Sequence, residues 1–139
     1  EPGAPGPMAR MEAMQFLVEN GITAGVMMAP LLPGISDGEE SINEVGGAAA
    51  EHKAQFLGAN VLFLKPGSKE WFMPMLRETY PHLTTAYDKM YRKTYAPKEY
   101  TSMVLKAVDK ARWEWGLPVM EPTKDLRGQQ RQLELALTA

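Results

Sequence analysis

Apolar residues recur along this chain with two different periods, and the change of period separates the predicted helices from the predicted strands. The first periodic segment, Ala9–Asn20, carries apolar residues three and four positions apart, which predicts one face of a helix: Met11, Met14, Leu17 and Val18. Gly21 follows as the residue that ends this helix, because glycine tolerates a positive φ. The next segment, Ile22–Ala29, is apolar almost throughout, as expected for a parallel strand covered on both faces.

A second helix is predicted after the loop "PLLPGISD". Asp37 is followed three residues later by Glu40, which is the spacing of a capping box at the start of a helix. We expect this helix to extend to residue Gln55, although Gly46 and Gly47 each cost it roughly 1 kcal/mol relative to alanine.

The segment "ANVLFLKPG" predicts a second buried strand, Asn60–Lys65, ended by a proline and a glycine. The remaining pattern to residue 118 is helical and divides at proline and glycine residues into three helices: Ser68–Thr79, where Ser68 is the expected cap, Pro81–Tyr95 and Pro97–Trp115. We interpret residues 1–117 as the folded part of the chain and residues 118–139 as a flexible tail.

The order of these elements predicts an α/β fold, since helices that alternate with buried strands form parallel sheets. Two parallel strands cannot close a barrel by themselves, and each would have an unpaired edge. We therefore interpret the chain as a piece of a barrel or of an open sheet. In isolation, such a piece is expected to self-associate or to fold its helices over the open edges.

Composition restricts the chemistry that this chain can perform. The 139 residues amount to one domain, and the formal net charge of −2 provides no overall basic field for nucleic acid or an anionic membrane. No apolar run approaches the roughly 20 residues that span a bilayer, so no membrane partner is expected. The absence of cysteine excludes disulfides, thiolate zinc sites and a cysteine-ligated iron–sulfur cluster within this chain. The start, "EPGAPGPMAR", has no initiator methionine or signal sequence, so we expect a segment of a longer, cytoplasmic protein.

Several short motifs, in their order along the chain, suggest a family. These are "EPGAP", a helix with an arginine, "NGI", a strand that ends in "AP", the turn "PGISD", and later "YAPKEY" and "GLP". In this order they resemble the second half of the radical S-adenosylmethionine (SAM) barrel, in particular the group similar to spore photoproduct lyase and described as DNA repair photolyase-like. The resemblance covers residues 1–118.

This resemblance implies that Ile22–Ala29 and Asn60–Lys65 are the fifth and sixth strands of a TIM-like (β/α)6 barrel. It implies that the parent protein uses SAM and a [4Fe–4S] cluster to make a 5′-deoxyadenosyl radical, with repair of a DNA lesion as one use. The cluster-binding motif of the family, C-x-x-x-C-x-x-C, is absent here. The chain alone is therefore expected to be inactive, with no catalytic residue and no metal ligand of its own.

The resemblance also implies cofactor contacts in this half of the barrel. Arg10 would pair with the SAM carboxylate, which suits a bidentate guanidinium, or would be a solvated residue of its helix. Glu1 would hydrogen-bond the ribose or amine of SAM, or would be exposed. Ala29 and Pro30 would let backbone groups reach the adenine at the carboxyl end of their strand, or would serve only the turn. Lys65 would face the same pocket or be solvated.

Other polar and aromatic residues have simpler explanations. His52 and His82 have no partner at a metal-binding spacing, so surface or packing roles are expected. A basic cluster would provide phosphate contacts if the parent binds DNA, and would otherwise be a solvated face: it comprises Lys89, Arg92, Lys93 and Lys98. The aromatic residues fall at helical spacing, which favours core and inter-helix contacts over stacking on nucleic acid: these are Trp71, Trp113, Trp115, Tyr80, Tyr87, Tyr91, Tyr95 and Tyr100.

The tail contains "QLELAL", which resembles the short peptide by which bacterial DNA repair and replication factors bind the sliding clamp. Gln132 would offer its amide, and three leucines would fill an apolar groove, as is usual for an extended peptide: Leu133, Leu135 and Leu137. A simple amphipathic C-terminal segment is the other interpretation.

Two functions are therefore open at this stage. The first is a segment of a radical SAM enzyme whose partners are the remainder of the barrel and, in addition, DNA and the sliding clamp. The second is a non-catalytic module whose helices and tail bind another protein. A cysteine motif encoded upstream of residue 1 would distinguish the first from the second.

Overall fold

A computed structural model describes residues 3–120 of the chain as a mixed α/β fold, which confirms the predicted fold class. A short 3-10 turn precedes the fourth helix. In chain order, the elements are α1 (Pro7–Glu19), β1 (Val26–Leu31), α2 (Glu39–Glu51), β2 (Leu57–Val61), α3 (Ser68–Thr79), the 3-10 turn (Pro81–Leu83), α4 (Thr84–Met90) and α5 (Lys98–Trp115).

The two strands lie side by side and point in the same direction, which confirms the central prediction from the sequence. The pairing places Val26 opposite Leu57 and Met28 opposite Ala59, with an irregularity before Leu31. Helix α2 is the connection between the two strands, as parallel pairing requires. Together they form a β-α-β unit.

The predicted bounds of both strands were wrong by several residues. Ile22 is not in β1, because its N–H donates to the carbonyl of Leu17 at 3.0 Å and so completes the end of α1. At the other end, β1 continues through Pro30 to Leu31, whose carbonyl accepts from the N–H of Leu62 at 2.9 Å.

Strand β2 begins earlier than predicted and also ends earlier. It starts at Leu57, a fully buried side chain whose N–H donates to the Pro118 carbonyl at 3.1 Å. It ends at Val61, because the chain after Leu62 pairs with the segment before α5 and no longer with β1. Phe63 forms an isolated antiparallel bridge with Tyr95 instead of extending the parallel pair.

The predicted capping box at the start of α2 was also wrong. Helix α2 begins at Glu39, with Gly38 as its N-cap and no side-chain cap. The carboxylate of Asp37 is engaged elsewhere: it accepts from the N–H of Gly34 at 2.8 Å and from the hydroxyl of Tyr100 at 2.5 Å. Asp37 therefore ties the loop after β1 to α5.

The remaining helix bounds are close to prediction at α3 and α5 and differ elsewhere. The residue before α3, Gly67, is its N-cap, and Ser68 is already helical. Helix α2 ends at Glu51 and α4 ends at Met90, both earlier than predicted. The predicted glycine stop after α5 is confirmed, because Gly116 adopts φ 65°, a left-handed conformation.

A main hydrophobic core lies between the sheet and helices α2 to α5. Its most deeply buried side chains come from all four of these helices and from the residue after α4: Ile42, Leu76, Tyr87, Tyr91, Val104 and Val108. A smaller cluster packs the second half of α1 against α2 and the start of β2: Met14, Ala49, Ala54, Leu57 and Leu117.

Helices α2 and α5 approach each other closely at a pair of glycines. A Cβ on Gly46 or Gly47 would lie 3.0 Å from the indole of Trp115, which occupies the space that side chains would fill. The indole N–H of Trp115 also donates to Asn43 at 2.7 Å. The two glycines that weaken α2 as an isolated helix therefore provide the surface on which Trp115 packs.

Replacing Trp115 by alanine is expected to destabilise the fold by about 2 kcal/mol, roughly half the cost of a fully buried Trp→Ala change. The indole is 40% exposed, so only part of its surface is lost from the contact with α2. Trp113→Ala is the matched control, because that indole lies two residues away and is 89% exposed. It should change the free energy of unfolding by less than about 0.5 kcal/mol in urea titrations. Equal effects of the two changes would contradict the packing described here.

Candidate functional site

One face of the β-sheet carries exposed side chains, although Met27 covers Gly58 there and Gly58 is buried. Val26, Met28 and Ala59 contribute to the two hydrophobic clusters under the helices. Their neighbours in the strands point to the opposite face, because strand side chains alternate. On that opposite face, Met27 is paired with Gly58 of the neighbouring strand. A Cβ added to Gly58 would lie 2.7 Å from the Cε of Met27.

We refer to this surface as the open sheet face, defined by Met27, Ala29, Gly58 and Asn60. Met27, Ala29 and Asn60 are all exposed. Strands that are covered on both faces were expected from their continuous apolar sequence, so the exposure of Met27 is a departure from that expectation. Parallel sheets normally have both faces covered, so this exposed face is a candidate contact surface for another layer of protein or for a ligand.

Two of the residues predicted to contact SAM lie on β1. Ala29 and Pro30 are both exposed, and the peptide bond between them is cis. Arg10 lies on α1, a different element, where its Nε donates to the carbonyl of Pro5 at 2.9 Å. Lys65 is exposed, with its Nζ 5.8 Å from the centroid of the Phe63 ring. The structure thus places these candidates on three separate segments of the chain.

The other predicted contacts lie outside the described residues. Glu1 and the four residues of the clamp-like peptide are among them: Gln132, Leu133, Leu135 and Leu137. Their roles stay predictions from the sequence.

The carboxyl ends of the two strands are held by tyrosine hydroxyls, which sequence analysis placed only in the general core. The hydroxyl of Tyr87 donates to the Pro33 carbonyl in the loop after β1 at 2.8 Å. The hydroxyl of Tyr91 donates to the Leu62 carbonyl after β2 at 2.9 Å. Both bonds are buried, and together they fix the positions of the two strand ends relative to each other.

Burial changes the acidity of these tyrosines. It raises the pKa of Tyr87 to about 12, with a smaller contribution from the negative charge of Asp37. Burial likewise raises the pKa of Tyr91, and burial together with the hydrogen bond to Asp37 raises the pKa of Tyr100. All three phenols are therefore neutral hydrogen-bond donors over the physiological pH range, as their positions require.

The sequence contained a signal for part of this arrangement. Tyr87 and Tyr91 are four residues apart, which is the spacing of neighbours on one face of a helix, and their rings lie 5.5 Å apart. The contribution of Tyr100 could not be found in this way, because it depends on α5 crossing the loop that carries Asp37.

The two histidines have the kind of contacts that were expected. The Nδ1 of His52 is 2.8 Å from the carbonyl of Ala48 in the preceding turn of α2. The ring of His82 meets the edge of Tyr80, with the ring centroids 6.4 Å apart. Within residues 3–120, no three histidine or acidic side chains are grouped so that they could hold a metal ion.

Several aromatic residues expected in the core are on the surface. Trp71 is 85% exposed, and Trp113 and Tyr95 are also largely exposed. The prediction of core contacts was therefore wrong for these three, while it is confirmed for Tyr87 and Tyr91, which are fully buried. The members of the predicted basic cluster are all exposed: Lys89, Arg92, Lys93 and Lys98.

Helix α1 also presents apolar side chains to solvent. Met8 and Phe16 are exposed on the helix, and Ile22 is exposed just after it. Only Met14 of its predicted apolar face is buried. In the part of the chain that the structure describes, no helix has the length and apolar character that crossing a membrane requires.

Comparison with known proteins finds relatives of greater length. They include the uncharacterized proteins Rv2578c and MT2655 of Mycobacterium tuberculosis and Mb2609c of Mycobacterium bovis, each 31% identical to this chain over 109 residues. The match covers 78% of this chain and 32% of each relative. The chain thus spans about a third of the length of the curated relatives it matches. No family model and no solved structure matches it.

Proposed function

We propose that this chain is the C-terminal part of a radical SAM barrel enzyme, and that the open sheet face is the interior wall of the barrel. The observation that carries this proposal is the parallel β1–β2 pair with helices on one face and exposed side chains on the other. In a (β/α) barrel, helices form the outer ring and the inner face of the strands meets side chains of the other strands.

The length of the relatives supports a longer parent protein. A segment that makes up 32% of a longer protein is expected to pack against the rest of it. The exposed apolar residues of α1 fit such an interface, since they would face the helix that precedes α1 in a barrel. The proposal therefore explains two exposed surfaces, the open sheet face and α1, in the same way: the rest of the parent barrel would cover both.

The residues present fit SAM in part. Ala29 and Pro30 are exposed in the carboxyl-terminal half of β1, where their small or compact side chains leave the backbone accessible to an adenine. The guanidinium of Arg10 has the planar fork of donors that matches a carboxylate. Bound SAM supplies a 5′-deoxyadenosyl radical once its sulfonium bond is cleaved by an electron. We propose that Arg10 and the backbone at Ala29 and Pro30, with Glu1, hold and orient it.

The residues present do not fit a [4Fe–4S] cluster, because the chain contains no cysteine. We therefore assign no electron-transfer step to this chain. The cluster ligands would belong to the remainder of the parent protein, and repair of a DNA lesion is the activity that the resemblance to the spore photoproduct lyase group implies for it.

Two observations test this proposal. The coding region upstream of residue 1 should encode C-x-x-x-C-x-x-C. A complete cysteine-free gene would instead favour the alternative, a non-catalytic interaction module, for which the exposed Trp71 and Trp113 are the specific surface features.

The second observation is the affinity for SAM. In the full gene product, Arg10→Ala should weaken equilibrium binding of SAM by about 10-fold to 100-fold, the value of a charged hydrogen bond. Arg77→Ala is the matched control, because Arg77 lies on α3 and pairs with Asp88 on α4. Isothermal titration calorimetry measures both. Equal affinities of the two variants would contradict the role of Arg10.

A further inference from the structure

A second surface is formed where the chain leaves β2 and meets the segment between α4 and α5. Phe63 and Tyr95 pair there in an antiparallel bridge. The N–H of Leu64 donates to the carbonyl of Thr94 at 2.7 Å, which holds the two segments together. The residues after β2 thus meet the bend at residues 92–94 and the bridge residue Tyr95, which are far apart from them in sequence.

Burial separates the side chains of these residues into an inner and an outer group. Leu64 is buried and Thr94 is half-buried, so both point toward the core. Phe63, Lys65 and the two residues opposite them point outward and are exposed: Lys93 and Tyr95. The outward face therefore combines two aromatic rings with two lysines.

The two rings form a pair that solvent reaches. Their centroids are 5.8 Å apart and their planes are inclined by 40°. Tyr95 is 66% exposed and Phe63 is 46% exposed, so both keep ring surface accessible to another flat group. The Lys65 Nζ, 5.8 Å from the Phe63 centroid, adds a positive charge at the edge of the pair.

Further cations flank the ring pair. Arg92 and Lys98 are exposed on either side of it in sequence, and Tyr95 and Lys98 line a groove of about 630 Å³ along α5. The acidic residue of this groove, Asp109, is already paired with Arg112.

In the described part of the chain, the other acidic residues beside this surface are Glu70, in a cavity with Arg92 and Lys93, and Glu99, which follows Lys98. The four cations outnumber them, so the surface is locally positive in a chain with a formal net charge of −2.

We infer that this aromatic–basic surface, comprising Phe63, Lys65, Arg92, Lys93, Tyr95 and Lys98, binds single-stranded nucleic acid. Sequence-tolerant single-strand binding combines aromatic rings on which bases stack with cations that follow the phosphates. Unstacked bases fit the exposed ring pair, and phosphates fit the lysines beside it. The inference adds a binding surface to the DNA-directed activity that the resemblance implies, but it does not rest on that proposal, since the binding requires neither SAM nor a cluster.

The test is a fluorescence anisotropy titration of the 139-residue chain with a labelled 12-nucleotide oligothymidylate. Tyr95→Ala should weaken binding by about 5-fold or more, the loss expected for one stacked base, and Tyr95→Phe should keep the affinity within about twofold. Lys93→Glu should weaken binding and reduce the slope of log Kd against log salt, by about 0.7 for each phosphate that the protein no longer neutralises.

Matched controls separate this surface from other exposed groups. Trp113→Ala removes a more exposed ring on α5, and Lys53→Glu makes the same charge change just after α2. Neither should weaken binding more than about twofold, because neither residue belongs to the surface on which bases stack. A 12-nucleotide oligouridylate in place of the DNA shows which polymer is preferred, and binding of either supports the inference.

Three results would overturn it: no binding of either oligomer, equal losses for Tyr95→Ala and Trp113→Ala, or tighter binding of a 12-base-pair duplex than of the single strand. Equal binding of poly-glutamate that is insensitive to Tyr95→Ala would also overturn it, because the surface would then be only electrostatic. Circular dichroism of each variant verifies that it is folded.

Discussion

Replacing Gly25 by alanine is expected to destabilise the fold by about 2–3 kcal/mol, the upper part of the usual range for overpacking. An added Cβ would lie 2.5 Å from the carbonyl oxygen of Phe56 and 2.7 Å from its ring. That carbonyl accepts the first hydrogen bond between the strands, from the N–H of Val26 at 3.0 Å. Because the nearest atom is backbone, relief of the clash has to separate β1 from β2.

Gly58→Ala is the matched control on the partner strand. Its Cβ would lie 2.7 Å from the Cε of Met27, the end of a flexible and exposed side chain that can turn away. We expect a change of less than about 1 kcal/mol, since the loss of chain entropy in the unfolded state favours alanine. Urea unfolding followed by far-ultraviolet circular dichroism measures both variants. Equal destabilisation by the two changes would contradict the close approach of the strands at Gly25.

Stability is expected to fall steeply above pH 10. Tyr87 has its pKa raised to about 12 in the folded chain, against 10.0 for a free tyrosine. Below pH 10 the phenol is neutral in both states, and its contribution to stability is fully present. As the pH rises through 10 and then through 12, the unfolded chain releases the proton first, so the folded state loses about 3 kcal/mol from this residue in total, about 2 kcal/mol of it between pH 10 and pH 12.

Tyr91 and Tyr100 shift in the same direction, which makes the loss steeper than a single tyrosine would give. Urea titrations from about pH 8 to about pH 11.5 measure it. Since lysines titrate in the same range, Tyr87→Phe isolates the effect. This variant should be less stable at pH 8 by about 1–3 kcal/mol, because the buried Pro33 carbonyl loses its donor, and should then fall less steeply.

Tyr95→Phe is the control for the alkaline experiment, because Tyr95 is exposed and its ring contacts do not require the hydroxyl. It should keep the steep decline of the wild-type chain. If Tyr87→Phe and the wild-type chain lose stability equally across this alkaline range, the buried hydrogen bond of Tyr87 does not have the role described here.

The pattern of apolar residues was sufficient to predict the elements, their order and the parallel pairing, but not where each strand begins and ends. Residues 62–64 are as apolar as β2 itself. The N–H of Leu62 still donates to Leu31 of β1, but the Leu62 carbonyl accepts from Tyr91. The Leu64 N–H donates to the Thr94 carbonyl, so the pairing with β1 ends there. Tyr91 and Thr94 come from a segment about 30 residues later, and such tertiary competition has no local signature.

The tryptophans also show that tertiary contacts, which have no local sequence signal, decide which side chains are exposed. Trp113 and Trp115 are two residues apart on one helix, and yet only Trp115 packs, because Gly46 and Gly47 leave room for it on α2. Both were predicted to pack, although residues two apart point to nearly opposite sides of a helix. Likewise, Asp37 was predicted to cap α2, but its carboxylate accepts a hydrogen bond from Tyr100 instead. One carboxylate could have served either purpose. Which contact is made depends on the position of α5.

The open sheet face is tested most directly by thiol labelling, for which a chain without cysteine is well suited. Single variants Ala29→Cys and Asn60→Cys place a thiol on that face, Ala59→Cys places one under the helices, and Trp113→Cys is an exposed reference. In the isolated chain, we predict rapid labelling at residues 29, 60 and 113 and slow labelling at residue 59.

In the complete gene product, labelling at residues 29 and 60 should become at least about tenfold slower, while residue 113 stays rapid, because in the proposed barrel the remaining strands would cover the open sheet face. Unchanged rates at residues 29 and 60 in the longer protein would contradict the account, since that face would then be an outer surface and not the wall of a barrel.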